Sequence, residues 1–330
     1  MQEMDNSRPP YIGLYASGEL EQRADRLEKR LEACDLCPRN CGVNRIRGER
    51  GYCHSLEKPV IASYCDHHGE EPVLSGSRGS GTIFFANCNL RCVYCQNYQI
   101  SQDWQSQEAN TVAVETLADY MLQLQNRGCH NINLVSPGHF VPQIVRALVL
   151  AVPMGLEIPV VYNTNSYDGL DTLKELEGII SIYLPDLKYA DDQQAKKYSR
   201  VADYRLHARQ AIAEMYRQVG GLKLNRDGMA VQGLLVRHLI LPGGVAGTRE
   251  SLAWLAEEIS PEAGLSLMSQ YHPSNWARRY AEINRNILKE EYAAALKTVK
   301  DYGFKQTFVQ GLSSPQVYLP DFDLEKPFEG

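Results

Sequence analysis

Thr82-Ile-Phe-Phe-Ala86-Asn-Cys88-Asn-Leu-Arg-Cys92-Val-Tyr94-Cys95 is an apolar run of strand length that empties into a loop bearing three cysteines. The C-x3-C-x2-C spacing offers three thiolates on one short loop. A [4Fe–4S] cube is usually held by four cysteines, so a cube on this trio keeps one iron free of protein, open to a small molecule. Rival readings fit less well. A structural zinc site wants four ligands, and no fourth Cys or His follows within the loop. A disulfide cannot use three cysteines, and soft sulfur ligands favour a cluster.

Outward from this loop the chain alternates. Strand-length apolar runs lie at 82–86, 132–135, 158–162, 179–184, 235–241 and 265–269. Helix-like segments fall between them at 112–127, 141–151, 170–176, 203–219 and 249–259. This repetition argues for a parallel sheet with helical crossovers. Six units predict an α/β fold, a partial and open (β/α)6 barrel, with a helix at 288–302 and a short strand near 306–309 closing it. In such barrels functional groups gather at the carboxyl ends of the strands. The residues there are polar: Ser136 to His139, Asn163 to Ser166, Asp186 to Lys188, Arg237 with His238, and Gln270 to Pro273. The glycine-rich run 76–81 precedes a strand rather than opening a helix, so it reads as a hinge turn and not a phosphate loop.

Upstream, residues 18–33 form a charged amphipathic pattern with leucines at 20, 27 and 31 on one face. A cysteine-rich segment follows. Residues 1–75 are expected to form an N-terminal helix and metal-binding segment, and 76–330 the barrel with its C-terminal helix. Cys34, Cys37, Cys41 and Cys53 give C-x2-C-x3-C-x11-C, four sulfurs that would saturate a metal. Thiolates suit both zinc and a second iron–sulfur cluster, and a segment this short and polar needs a metal to fold. His139 and His272 are candidates for the substrate side. Cys65 and Cys129 read as small buried hydrophobes.

Composition narrows the class. The 330 residues are 44% hydrophobic and 22% charged, with a net charge of −6 that gives no reason to expect nucleic-acid binding. The N-terminus lacks the apolar core of a signal peptide, and no stretch nears the roughly 18 apolar residues of a membrane span. Seven of nine cysteines fall in metal-spaced groups, which argues for a reducing compartment and a cytoplasmic protein.

The motifs together resemble the radical-SAM superfamily, and within it the pyruvate formate-lyase activating enzyme-like homologue subgroup. The matching stretches, from Cys34 onward, are Cys34-Asp-Leu-Cys-Pro-Arg-Asn-Cys-Gly-Val-Asn-Arg45, His68-Gly-Glu-Glu-Pro72, Gly79-Ser-Gly-Thr-Ile-Phe-Phe85 and 88–101. Asn133-Leu-Val-Ser-Pro-Gly-His-Phe-Val-Pro142, Tyr162-Asn-Thr-Asn-Ser166, Asp186-Leu-Lys188 and Arg237-His-Leu-Ile-Leu-Pro-Gly243 continue it.

The resemblance implies that Cys88, Cys92 and Cys95 ligate a [4Fe–4S] cluster whose fourth iron is chelated by S-adenosylmethionine (SAM). One electron would then split SAM into methionine and a 5′-deoxyadenosyl radical for hydrogen abstraction. Tyr94 would lie against the adenine. The segment from Ser136 stands where the superfamily usually has Gly-Gly-Glu holding the SAM amine; without that Glu, backbone carbonyls or Ser136 take the role. Asn163-Thr164-Asn165 corresponds to Asp-Thr-Asn of glycyl-radical activators, whose acid helps bind a monovalent cation, a charge Asn163 removes. Asp186 and Lys188 match the ribose and carboxylate region, and Arg237 would pair bidentately with the SAM carboxylate. The implied protein is an oxidoreductase like a glycyl-radical activase. Its partners would be SAM, a one-electron donor such as flavodoxin or ferredoxin, and a glycyl-radical protein, with a small molecule or another peptide as alternative substrate. The missing Glu leaves a reading of another class: a metal-binding electron-transfer or interaction module without SAM turnover.

Overall fold

Strands β1 (Ile61–His67), β2 (Ser80–Phe85), β3 (Ile132–Val135), β4 (Val160–Thr164), β5 (Ile182–Pro185), β6 (Lys223–Leu224), β7 (Ala230–Leu239), β8 (Gly264–Met268) and β9 (Thr307–Val309) make one sheet in a computed structural model that describes residues 8–312 and 320–322. The spatial order is β1-β2-β3-β4-β5-β7-β8-β9, with β6 beside β7. Each neighbour pair from β2 to β9 along this path is parallel, whereas β1 runs antiparallel against β2. The path ends at β1 and β9, so the barrel is open. This is the expected α/β fold with its mostly parallel sheet.

The differences from expectation have physical causes. β5 starts at Ile182, not 179, because Ile179 and Ile180 are buried in the turn before it; burial there mimics a strand. β1 escapes a hydrophobicity scan because it is an edge strand of mixed polarity, mostly half-buried. It lies on the N-terminal side of the expected boundary at 75, yet belongs to the same sheet as the barrel strands. The 76–79 turn leads directly into β2, as a turn before a strand should.

The N-terminal amphipathic segment forms helices Tyr11–Ala16 and Glu19–Lys29 and a 3-10 turn Arg30–Ala33. Leu20, Ala24, Leu27 and Leu31 are fully buried on one stripe, at spacings of three and four residues that repeat the helical turn. Glu19 and Glu21 open the second helix, and Arg26 and Lys29 close it, matching the macrodipole. The stripe docks on helix Val141–Ala151, with Arg146 of that helix bonded to Glu28 at 2.8 Å. Among the described residues no helix is long and apolar enough to cross a membrane.

Two layers of apolar packing result. The larger lies between the sheet and its helices. A smaller cluster, Val161, Ile182, Leu184, Leu235, Leu222 and Ala230 with Val73 and Leu74, fills the concave side. Side chains alternate along a strand, so residues two apart share a face. Val161 is followed on its face by Asn163, Leu184 by Asp186, and Leu235 by Arg237. Each strand therefore turns from apolar to polar as it nears its carboxyl end.

Candidate active site

The cysteine loop leaves β2 through Asn87, whose φ of 72° is left-handed. Ser136 after β3 and Ser166 after β4 adopt the same region, at φ 57° and 68°. Left-handed backbone costs roughly 1 kcal/mol for a non-glycine residue, so three such turns gathered at the strand ends mark a place where direction outranks local comfort. Val93 N–H donates to Tyr198 O at 2.8 Å and Arg91 N–H to Ser199 O at 3.3 Å, pinning the loop's middle.

Each cysteine sulfur has a polar neighbour. Leu90 N–H and the Asn165 side-chain amide both donate to Cys88 Sγ at 3.4 Å. Ser199 Oγ donates to Cys92 Sγ at 3.0 Å, and Cys95 Sγ lies 3.3 Å from Ser101 Oγ. Hydrogen bonds to sulfur are among the features that set a cluster's potential. Burial pushes the Cys88 and Cys92 thiols up to about 11, at Cys92 against the pull of the Lys188 ammonium. Bare, they stay protonated; a coordinating metal would deprotonate them. No disulfide joins any of the nine cysteines. Among the described residues no three Cys, His, Asp or Glu side chains are grouped as a single metal ion would need. A four-iron cube takes one sulfur per iron, so its cysteines stand apart around it. The loop's free thiols and sulfur-directed donors fit such a group.

Facing the loop is a cavity of about 690 Å³. Cys92, Tyr94 and Cys95 line it together with Asn163, Asp186, Lys188 and Arg237. Arg237 Nε meets Asp186 Oδ1 at 3.1 Å, while its two terminal nitrogens meet Glu70 Oε2 at 3.2 Å and Asn163 Oδ1 at 3.1 Å. Lys188 Nζ donates to Asp186 Oδ2 at 2.7 Å. Burial works against charge on Asp186, but Lys188 and Arg237 beside it outweigh that and hold its carboxyl below the usual range. The two bases stay protonated for the same reason: Asp186 offsets their desolvation. The mouth thus carries a set of fixed charges beside the cysteines.

The other expected residues are divided between the cavity and its surroundings. The Tyr94 hydroxyl donates to Tyr189 at 2.7 Å, and its ring meets Tyr189 and Tyr271 edge-on, within the cavity wall. Asn165 supports the sulfur of Cys88 from behind and does not line the cavity, and neither does Ser136. The segment after Ser136 serves packing: a Cβ on Gly138 would sit 2.7 Å from Asp168 Oδ1, which accepts from the Tyr162 hydroxyl, while Oδ2 accepts from Thr164. Arg237 is a clamp between two acids and an amide here, rather than a fork directed at one carboxylate. His139 is corrected outright. It is buried, its Nε2–H donates to Ala86 O at 2.9 Å, and burial holds its pKa down at about 3. It borders the N-terminal cysteines and not the cavity; His272 also lies outside the cavity lining.

Sequence reasoning assigned no role to Glu70, Glu71 or Ser266, all of which line the cavity. Glu71 is 9% exposed and its Oε2 has no hydrogen-bond partner among the described residues. Burial raises its pKa, with Arg237 opposing. The signal was present in His68-Gly-Glu-Glu-Pro72, two adjacent acids before a proline. What the sequence withheld was β1, the strand that carries them to the mouth.

The N-terminal cysteines are also brought together. Cys34, Cys37, Cys41 and Cys53 line one small cavity with Leu36, Val43, Tyr52 and Asn89.

Comparison with known proteins follows this geometry. A family model described as Radical SAM superfamily matches residues 82–232. An uncharacterized protein of Methanocaldococcus jannaschii, MJ0674, is 27% identical over 286 residues, 86% of this chain and 79% of its own length. A second from that organism, MJ0808, is 29% identical over 91 residues, 24% of this chain and 27% of its own length. Among solved structures, a domain of pyruvate-formate lyase-activating enzyme from Bacteroides vulgatus covers 60% of this chain and 91% of its own, at 15% identity and a TM-score of 0.33. Methylornithine synthase covers 76% and 73%, at 15% identity and a TM-score of 0.43.

Proposed function

We propose, from the premise that the chain belongs to the radical-SAM superfamily, that it cleaves SAM at a cluster held by Cys88, Cys92 and Cys95 and removes a hydrogen atom from a substrate in the barrel mouth. When bound, the cluster supplies SAM with one electron, giving methionine and a 5′-deoxyadenosyl radical.

The residues of the chain do the rest. Leu90, Asn165, Ser199 and Ser101 hold the cysteine sulfurs in place. Asp186 and Lys188 present opposite charges where a ribose hydroxyl and a carboxylate would bind. Asn163 and Tyr94 line the same cavity. The single observation that carries this reading is that Cys92 and Cys95 line the same cavity as the Asp186–Lys188–Arg237 clamp. That combination suits a ligand with both an ammonium and a carboxylate.

The hydrogen donor implied by the resemblance is a glycine Cα–H of a partner protein. A small polar substrate is supported by a separate observation, the Glu70–Glu71 acids at the same mouth, which would receive a cationic group. The N-terminal cysteines would hold a second metal, zinc or iron–sulfur.

Anaerobically reconstituted protein given SAM and dithionite should release 5′-deoxyadenosine. No release above background from protein with an intact cluster would refute the reading. Substrate class is then separated by isotope: a glycine-deuterated partner protein, or a deuterated small amine, must pass its label into 5′-deoxyadenosine.

A further inference from the structure

We propose that the groove lined by Arg91, Val93, Arg200 and Trp276 is the docking surface for an acidic one-electron carrier protein of the flavodoxin type. The proposal deepens the reading above and rests on it for what receives the electron.

The first ground is where the groove lies. Residues of the cysteine loop are shared out between two cavities. Cys92, Tyr94 and Cys95 line the barrel cavity, whereas Arg91 and Val93 line a groove of about 340 Å³, and no residue lines both. The loop is therefore a wall between them. Gln102, also in the groove, donates from Nε2 to Cys92 O at 2.8 Å. A terminal nitrogen of Arg91 donates to Cys88 O at 3.2 Å and to Ser101 O at 3.3 Å. Arg200 follows Ser199, whose hydroxyl donates to Cys92 Sγ at 3.0 Å. Arg91 and Gln102 thus join the groove to two of the three cysteines by direct hydrogen bonds. A substrate must enter the barrel cavity to meet the radical, so the groove suits the reductant instead.

The second ground is charge. Arg91 directs its hydrogen bonds at backbone carbonyls, Tyr52 O at 2.9 Å among them. Arg39 stacks 3.7 Å from the centre of the Tyr52 ring and donates to Asn89 O and Arg200 O, both at 3.1 Å. Carbonyls satisfy these N–H groups and leave the positive charge standing. Trp276 is 47% exposed and carries Arg279 stacked 3.6 Å from its ring centre. Among the described residues none of Arg39, Arg91, Arg200 and Arg279 takes part in an ion pair. Tryptophan and arginine are the side chains that most often dominate a protein interface. The chain as a whole carries −6 and repels an acidic partner. A local basic cluster reverses that and steers the encounter to one face. Contact with the cysteine loop selects a redox carrier among acidic partners.

The third ground is the backbone of Arg200. It ends the helix Asp192–Ser199 at φ 57° and ψ 43°, the left-handed cap that glycine usually takes. Keeping an arginine there costs roughly 1 kcal/mol, and such strain collects at functional positions.

The transfer balances simply. The carrier is oxidised by one electron, which reduces the cluster held by Cys88, Cys92 and Cys95. No proton moves, and no bond forms or breaks.

The test uses the full chain, reconstituted without oxygen, with reduced flavodoxin as the probe. In stopped flow at low ionic strength, Arg200→Glu should slow bleaching of the cluster absorbance at least about tenfold, within the range that steering charges command. Added salt should slow wild type and hardly affect the variant, because screening removes what the variant already lacks. Reduced methyl viologen, a cationic one-electron donor, should reduce the variant no more slowly than wild type. Arg226→Glu, in the turn between β6 and β7, makes the same change in net charge and should behave as wild type. Because a left-handed position can make Arg200→Glu fold poorly, Arg200→Asn removes the charge with a residue that tolerates it. It should show the same pattern with a smaller slowing. Calorimetry with oxidised flavodoxin reads the docking itself, and affinity should fall in both Arg200 variants. Flavodoxin reduction of both at the wild-type rate overturns the proposal. Equal slowing in Arg226→Glu or with methyl viologen does so too, as does a groove that takes a single-stranded oligonucleotide and not flavodoxin. The two readings fail separately. If wild type takes electrons through the groove yet releases no 5′-deoxyadenosine, the docking surface stands and SAM cleavage falls. If dithionite supports SAM cleavage while flavodoxin ignores Arg200, only this inference falls.

Discussion

The floor and the mouth of the barrel are built from the same strands and obey opposite rules. On the floor, Val161, Ile182, Leu184 and Leu235 are fully buried against one another. One strand repeat further on, Asn163, Asp186 and Arg237 project from the same face into a cavity and are joined by an ion and amide clamp. Floor residues contribute through apolar area removed from water, about 25 cal/mol per Å². Mouth residues bury charge, which stabilises little by itself. The difference teaches where this chain keeps its stability and where it gives some up for chemistry.

The strongest break in that comparison comes from Cys92→Ala at the mouth. Production of 5′-deoxyadenosine should fall to background, and the visible absorbance of the cluster held by Cys88, Cys92 and Cys95 should vanish. Retained turnover would place the chemistry elsewhere. Leu184→Ala on the floor should behave in reverse. It should lower stability by about 2–5 kcal/mol, the usual cost of a buried leucine cavity, read as the midpoint of denaturant unfolding. SAM cleavage per folded molecule should hold. A loss of activity as large as that of Cys92→Ala would erase the division between floor and mouth.

Much of this division was legible in the chain. The cysteine trio was explicit in its spacing, and the polar strand ends stood out because parallel strands are otherwise nearly continuous apolar runs. Asp186, Lys188, Arg237 and Asn163 were found that way. What stayed hidden depends on tertiary placement. Glu70 and Glu71 reach the mouth only because β1 pairs antiparallel with β2, and an edge strand carries a weak pattern. His139 looked like a mouth residue because it follows β3, yet the left-handed turn at Ser136 sends the chain under the cysteine loop to Ala86. Asn89 sits inside the strongest motif, yet that it also lines the cavity of Cys34, Cys37, Cys41 and Cys53 shows only in the fold.

Asp186→Asn sharpens the mouth's side of the comparison. It leaves Arg237 with Glu70 as its acid partner and takes from Lys188 the carboxylate it is paired with. Breaking an enclosed pair costs about 3–5 kcal/mol; with the clamp facing a cavity that admits water, about 2 kcal/mol is expected. The folded-state pKa of Asp186 is lowered by Lys188 and Arg237 after burial is offset. A lowered carboxyl gives stability that is present above its unfolded value of about 3.9 and lost as pH falls through the folded one. Denaturation at pH 7 should therefore show the full difference from wild type, and at pH 3 a reduced one. A gap independent of pH would mean that the carboxylate's shape, not its charge, holds the clamp.

The smallest expected effect has the opposite sign and comes from the neighbour of Glu70. Glu71 is buried, and desolvation raises its pKa although Arg237 pulls it down. A raised carboxyl gives stability that is present below its unfolded value of about 4.3 and lost as pH rises through the folded one. Glu71→Gln removes that loss, so the variant should match wild type in acid and exceed it at pH 7. The gain should be on the order of 1 kcal/mol, the scale of one unsatisfied buried polar group, consistent with an Oε2 that has no partner. Paired denaturation curves at the two pH values read it directly. A glutamine variant weaker than wild type at pH 7 would show Glu71 ionised and held by Arg237. The clamp would then extend from Asp186 through Arg237 to both glutamates, and the mouth would contribute to stability as the floor does.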